Sequence, residues 1–500
     1  MGVVKRQTFK GTLVSFLGVG VALWATVAVY PRALEAYGLS QTIFSVAMLL
    51  APFATFGGAS VALRYFTRFK EVRRGGEAVL LSLLLSVGVV GALLLPPLAW
   101  LFLETVRPWL PESFDTGFLR DNRYIIWTLT FVVALTQVTE RFISNYRRIV
   151  VPALFSNLLP KLVLPLLIYL LFAGVLDLQR FLWWYVLLYS VVLVGQLVYL
   201  QLLTGILGRL HFAALPRRLV WSMMRFGAYN ILAVLGSLIA LRIDMIMVSG
   251  LEDAEAAGIF RVCVFAALVL DLPMRAVYGI AGPLIAGHWA KGEVTDIRDM
   301  YRRSSLVLAA AGAGLYAVIG VGILDVFELT GKADVLRTGY AAFLFMGLAK
   351  VVDLTFGLNG HIIGFSSKYA FSLVVLPVLA VSNIVLNYLF IETYGYGITG
   401  AALATLLALL LFNVIKYGFI RIKFGLSLQW GQLLSVIALI FCVYGLVDLL
   451  PRTTYPLLNI GYRCGSAALL VVGLLFASPL VPDVRDFLRD GAKRYLPFYG

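Results

Sequence analysis

Five basic residues, Lys161, Arg242, Arg261, Arg275 and Lys350, stand within stretches that are otherwise almost free of charge. A guanidinium grips phosphate oxygens in a bidentate fork, and an ammonium meets the same anions as a point charge. These residue types could therefore hold a pyrophosphate or an acidic sugar. Arg261 and Arg275 lie fourteen residues apart. On one continuous helix, at 100° per residue, that puts them about 40° apart around the axis. The pattern reads as a cationic substrate-binding cavity formed by Arg261, Arg275, Arg242, Lys161 and Lys350. Four acids at comparable depth, Asp271, Asp353, Asp244 and Glu140, are the candidates for ion pairing or coupling. Spacing offers two intrahelical pairs, Asp271 with Arg275 at i,i+4 and Lys350 with Asp353 at i,i+3. Arg261 has no acid at i±3 or i±4, so bases outnumber acids. Arg242, near the end of its run, can snorkel to the interface.

The elements that carry these residues are apolar runs. The chain of 500 residues is 61% hydrophobic and 13% charged, which excludes a soluble globular domain. Runs of about twenty nearly uncharged residues recur, each long enough to cross a hydrocarbon core of roughly 30 Å as a helix. They lack the two-residue alternation of a membrane β-barrel. The runs predict about 14 transmembrane helices, near 9–31, 39–63, 77–103, 124–144, 150–174, 181–204, 226–250, 256–284, 305–328, 338–362, 369–392, 398–420, 429–450 and 457–480. A lysine or arginine deep in such a helix costs on the order of 2.5–3.5 kcal/mol on insertion scales, so the five bases should face protein or a wet cavity.

The net charge of +15 follows from topology. With the N-terminus in the cytoplasm, 27 of the 41 basic residues fall on the cytoplasmic side and nine outside, leaving the five within spans. That asymmetry places both termini in the cytoplasm. It calls for no nucleic acid, and it draws the protein to anionic membrane lipids. The N-terminal run is long and lacks a small-residue cleavage site, which reads as a retained first helix. Cys263, Cys442 and Cys464 have no paired spacing, and His211, His288 and His361 are scattered over loops and span ends, so no disulfide, metal or cofactor is expected. No Gly-rich loop followed by Lys-Ser or Lys-Thr is present. The longest external loop, 104–123, holds Glu112, Asp115 and Asp121 without an acid/base constellation, so an enzyme is not expected.

Gly205 to Arg225 is the clearest interior break and reads as a cytoplasmic linker between six spans and eight. Ile43-Phe44-Ser45-Val46 in the second span and Ile259-Phe260-Arg261-Val262 in the eighth occupy corresponding places on either side of it, each followed by a proline, Pro52 and Pro273. These prolines, with Pro96, Pro160, Pro165, Pro283 and Pro377, free backbone carbonyls and bend their helices.

Two stretches carry a family resemblance: Leu241 to Val262 (LRIDMIMVSG and AGIFRV), and Asn383 to Thr405, with Gly397, Gly400, Ala401, Ala402, Ala404 and Thr405. Together they resemble the Wzx-type polysaccharide or O-antigen flippases of the multidrug/oligosaccharidyl-lipid/polysaccharide (MOP) exporter superfamily. The resemblance implies an all-α polytopic fold of two six-helix lobes around a central cavity, 1–204 and 226–423, joined by 205–225, with two extra helices and a tail in 424–500. It implies alternating-access transfer of an undecaprenyl-pyrophosphate-linked oligosaccharide from the cytoplasmic to the periplasmic leaflet of a bacterial inner membrane, beside glycosyltransferases and a polysaccharide polymerase. Two alternatives stay open, a peptidoglycan lipid II flippase and a cation-coupled multidrug exporter. The latter needs an N-lobe acid, for which Glu140 is the candidate.

Overall fold

In hydrocarbon a backbone N–H or C=O has no water to bond, so each apolar run closes its hydrogen bonds within itself as a helix. The computed structural model describes residues 17–72, 75–109, 111–148, 150–209 and 215–477, with no strand among them. The basic residues Lys5, Arg6, Lys10, Arg73, Arg74, Arg485, Arg489, Lys493 and Arg494, together with His211, lie outside the described residues.

Eleven described helices are long and apolar enough to cross a membrane, or twelve when a bent pair is taken as one span. In chain order the helices that matter are α1 (Leu17–Ala28), α2 (Leu34–Ala54), α3 (Gly58–Val72), α4 (Gly76–Val106), α5 (Arg123–Ser144), α6 (Val150–Phe172) and α7 (Leu178–Thr204). Then come α8 (Arg217–Leu251), α9 (Ala254–Leu268), α10 (Leu272–Lys291), α11 (Val294–Leu329), α12 (Tyr340–Thr355) and α13 (Asn359–Phe365). The series ends with α14 (Phe371–Thr393), α15 (Gly397–Phe424), α16 (Trp430–Asp448) and α17 (Pro456–Ala477). Each of the fourteen expected runs meets a helix. Three of those helices, the short α1, the more polar α5 and α12 of the bent pair, are not among the eleven.

The expected span over 39–63 straddles a break. Pro52 inside α2 is followed by Phe56 and Gly57, both with positive φ (49° and 70°), and the chain restarts as α3. Fifteen residues long and carrying Arg64, Arg68 and Lys70, α3 is not among the helices long and apolar enough to cross a membrane. The crossing is made by Tyr30–Ala54.

The chain divides into two compact units, Met1–Gly258 and Ile259–Gly500. In the first, α8 packs on the α2–α3 segment through Thr42 to the Met245 carbonyl, Ser60 to Asn230 and Tyr65 with Ser222. Close approach there depends on glycine: a Cβ on Gly38 would stand 1.9 Å from the Ala254 carbonyl oxygen, and one on Gly91 1.9 Å from that of Ala54. After α5, Tyr146 donates to Glu77 at 2.7 Å. Burial and that carboxylate push its hydroxyl pKa well above the ordinary value.

The second unit is built around α11, whose Leu306, Ala309, Ala313 and Val321 are fully or almost fully buried. The two last helices pack on it, Tyr444 over Gly320 and Cys464 over Gly322. Arg463 is fully buried and donates to Asp448 at 2.7 Å. Asn459, one turn earlier, donates to Asp325 at 2.8 Å, a polar link between α17 and α11.

Candidate functional site

Within the second unit, α10, α12, α13 and α15 assemble a charged and polar cluster. The Lys350 ammonium donates to Asp271 Oδ2 at 3.0 Å, and both side chains are mostly buried. Asp271 ends the 3-10 turn Val269–Asp271 that separates α9 from α10, with Pro273 just inside the new helix. One turn along α12 from Lys350, Asp353 accepts from Asn413 Nδ2 of α15 at 2.9 Å. Asn413 Oδ1 accepts from Asn359 Nδ2 of α13 at 2.7 Å. Lys416, a turn beyond Asn413, holds its Nζ 4.3 Å from the Phe412 ring centre.

A bend of 47° between α12 and α13 positions the far side of this cluster. Gly357 supplies it with φ +57, and a Cβ there would come 2.4 Å from Ser305 Oγ, so no side chain fits. Tyr278 of α10 donates to the Gly357 carbonyl at 3.1 Å, and its ring lies 4.2 Å from that of His361. Two carboxylates and two ammoniums thus alternate between helices within a few turns.

Neither intrahelical pair suggested by spacing forms. Asp271 bonds Lys350 rather than Arg275, and Asp353 bonds Asn413 rather than Lys350. The 3-10 turn and Pro273 interrupt the helix on which the Asp271 to Arg275 spacing was counted, and pairing between packed helices satisfies each carboxylate away from lipid. Arg275 is exposed, and the apolar crossing Ala254–Arg275 ends on it. Arg261 is half-buried, with its Nε buried and unbonded. Neither arginine has an ion pair among the described residues.

The remaining candidates lie in the first unit. Arg242 stacks over Phe44 at 5.3 Å, and Asp244 is buried. Lys161 lies along Gly18 of α1, its Nζ 3.4 Å from where a Cβ would stand. Glu140 accepts from Ser156 at 2.8 Å, and Ser156 in turn accepts from the buried Gln196 at 2.7 Å. Ser156 reaches that carboxylate from the π-helical turn Leu154–Leu158 in α6.

The reading from sequence missed Lys416, which it placed on the cytoplasmic side, and His361, which it took as interfacial. It also passed over Asn413, Asn359, Tyr278 and Asp325. The signal for Lys416 was present, since Asn413 and Lys416 repeat on α15 the i,i+3 spacing of Lys350 and Asp353 on α12.

No protein-family model and no curated sequence matches the chain. Solved structures do share its fold. The lipid II flippase MurJ, in an inward closed conformation, aligns with a TM-score of 0.65 at 13% identity, over 96% of this chain and 99% of that one. An inward-facing multidrug resistance MATE family transporter of the MOP superfamily gives 0.62 at 12% identity, over 82% and 94%. A MOP superfamily transporter from Pyrococcus furiosus gives 0.52 at 15% identity, over 85% and 95%. The chain is thus a multi-pass membrane protein with the all-helical fold of MurJ and the MATE transporters. At these identities the likeness is one of fold.

Proposed function

We propose that the protein is a flippase that moves an undecaprenyl-pyrophosphate-linked oligosaccharide across the bacterial inner membrane by alternating access, for surface polysaccharide assembly, with both termini cytoplasmic. The observation that carries this reading is Arg261. It sits on an apolar crossing with a buried, unbonded guanidinium nitrogen and no carboxylate partner among the described residues. A guanidinium nitrogen buried without a partner is costly, and a bound pyrophosphate, with about two negative charges, would supply the missing counter-ion. Arg275, exposed and unpaired where that crossing ends, offers a second contact. Lys161 and Arg242, in the first unit, are separate candidates for the same anion chemistry. Lys350 contributes less, because Asp271 already satisfies it.

A lipid II flippase is favoured as the second reading by the near full-length likeness of fold to MurJ. It uses the same pyrophosphate chemistry and differs in the sugar. The test is translocation in proteoliposomes loaded with fluorescent undecaprenyl-pyrophosphate oligosaccharide or with lipid II. Arg261→Ala should lower transport at least tenfold while the variant inserts and purifies normally, and Arg261→Lys should retain part of it. Full transport by Arg261→Ala and Arg275→Ala together would overturn the cationic role. Preference for lipid II would move the assignment to the second reading.

A further inference from the structure

Helices α1 and α6 of the first unit run side by side. Lys161 lies along Gly18 toward one end, and at the other the Arg32 guanidinium stands 5.5 Å from the centre of the Phe172 ring, where α6 stops. The two helices share a single trough of about 370 Å³. One face of α6 lines it, with Leu162, Pro165, Leu166 and Tyr169 at i, i+3, i+4 and i+7. Across from them α1 supplies Trp24 and Ala28, one turn apart, and Arg32 follows from the 3-10 turn Tyr30–Ala33. The apolar residues and the guanidinium thus line one cavity.

Pro165 is buried and forms the floor, while Trp24, Leu162, Leu166 and Tyr169 are about half exposed or more along the rim. Because α6 is long and apolar enough to cross a membrane, an exposed apolar rim on it meets hydrocarbon rather than water. A lipid chain fills such a trough, so what the site can select is the headgroup. From Leu162 to Tyr169 the rim runs roughly 10 Å at the helical rise, about two-thirds of the ~15 Å of hydrocarbon in one leaflet. Arg32 is exposed at the end of this run and has no acidic partner among the described residues, Glu35 three residues on included. The Phe172 ring holds the guanidinium beside the end of α6 without cancelling its charge.

We propose that the trough between α1 and α6 is a binding site for one anionic glycerophospholipid, an acyl chain lying along Leu162, Leu166 and Trp24 and the phosphate meeting Arg32. Charge complementarity selects the occupant. One guanidinium without a carboxylate matches the single net negative charge of a phosphatidylglycerol, whereas a zwitterionic headgroup brings its own cation against it. The site does not depend on the transported substrate.

The test uses the full chain in phosphatidylcholine nanodiscs containing a trace of phosphatidylglycerol with a photoreactive group on one acyl chain, the labelled peptides being mapped by mass spectrometry. Label should fall on 24–29 and 162–169, about fivefold above that from a matched phosphatidylcholine probe. Arg32→Gln should bring the two probes level, and Arg32→Lys should keep most of the difference, which separates charge loss from misfolding. Leu166→Trp should fill the trough and reduce labelling with Arg32 in place. Equal labelling by the two probes in the unaltered protein, a preference indifferent to Arg32→Gln, or labelling indifferent to Leu166→Trp would overturn the proposal. So would displacement of the probe by an equimolar amount of undecaprenyl phosphate, because the trough would then belong to the transported lipid.

Discussion

An ammonium in a low-dielectric interior keeps its charge only while a carboxylate stays in reach, and Lys350 and Asp271 meet that condition at 3.0 Å. Removing one partner should therefore hurt more than removing both. Lys350→Met leaves Asp271 uncompensated and is expected to destabilise the protein by about 3–5 kcal/mol, while Lys350→Met with Asp271→Asn should recover most of that loss. Thermal melts in detergent of the two single variants and the double variant close the cycle, and additive losses would show that the pair is not coupled. This residue-scale result also marks what the sequence could reveal. That Lys350, Asp271 and Asp353 lie in apolar runs is visible from their neighbours in the chain. Their partners are not, because Asn413 and Lys350 come within reach of these carboxylates only through helix packing. The pairing of Arg463 was illegible for the same reason, since its partner Asp448 lies on another helix, fifteen residues earlier.

At the scale of elements, glycine decides how near two helices can come. A glycine inside a helix costs about 1 kcal/mol relative to alanine, so replacing one with alanine stabilises the helix where space allows. Gly38 and Gly258 reverse that sign, because a Cβ on Gly258 would stand 2.1 Å from the Leu34 carbonyl oxygen, and Gly38 faces Ala254 as closely. Gly20→Ala and Gly418→Ala should leave the melting temperature unchanged or slightly raised, having nothing within 4 Å. Gly258→Ala should lower it by several degrees, and a neutral result would mean that the helices can separate at no cost. The small residues of the Gly400 to Thr405 stretch were legible as a close-packing signal. Accordingly, a Cβ on Gly400 would lie 2.7 Å from the Phe390 carbonyl oxygen, with Ala401, Ala402 and Ala404 fully buried. The break after α2 was less legible. Pro52 announced a bend, but the point where the helix stops depends on Phe56 and Gly57 taking positive φ, and a phenylalanine gives no local sign of that.

Across the whole molecule, the question is what drives transport when the sequence holds no phosphate-cradling Gly-rich loop with Lys-Ser or Lys-Thr. An anion crossing the full membrane field gains about 2.3 kcal/mol per charge per 100 mV when it moves toward the positive side. A pyrophosphate brings about two charges, and fixed cations such as Arg261 offset part of them. If one net negative charge crosses half the field in the slow step, flux toward the positive side should rise about sevenfold for each 100 mV. Proteoliposomes carrying the fluorescent glycan lipid, with a potassium diffusion potential set by valinomycin, measure this directly, and reversing the potential should reverse the effect. A rate that ignores voltage but follows a sodium or proton gradient would mean that a cation travels with the cargo and neutralises it. The search for a coupling carboxylate would then turn to Glu140, whose hydrogen bond from Ser156 would have to open to admit the ion.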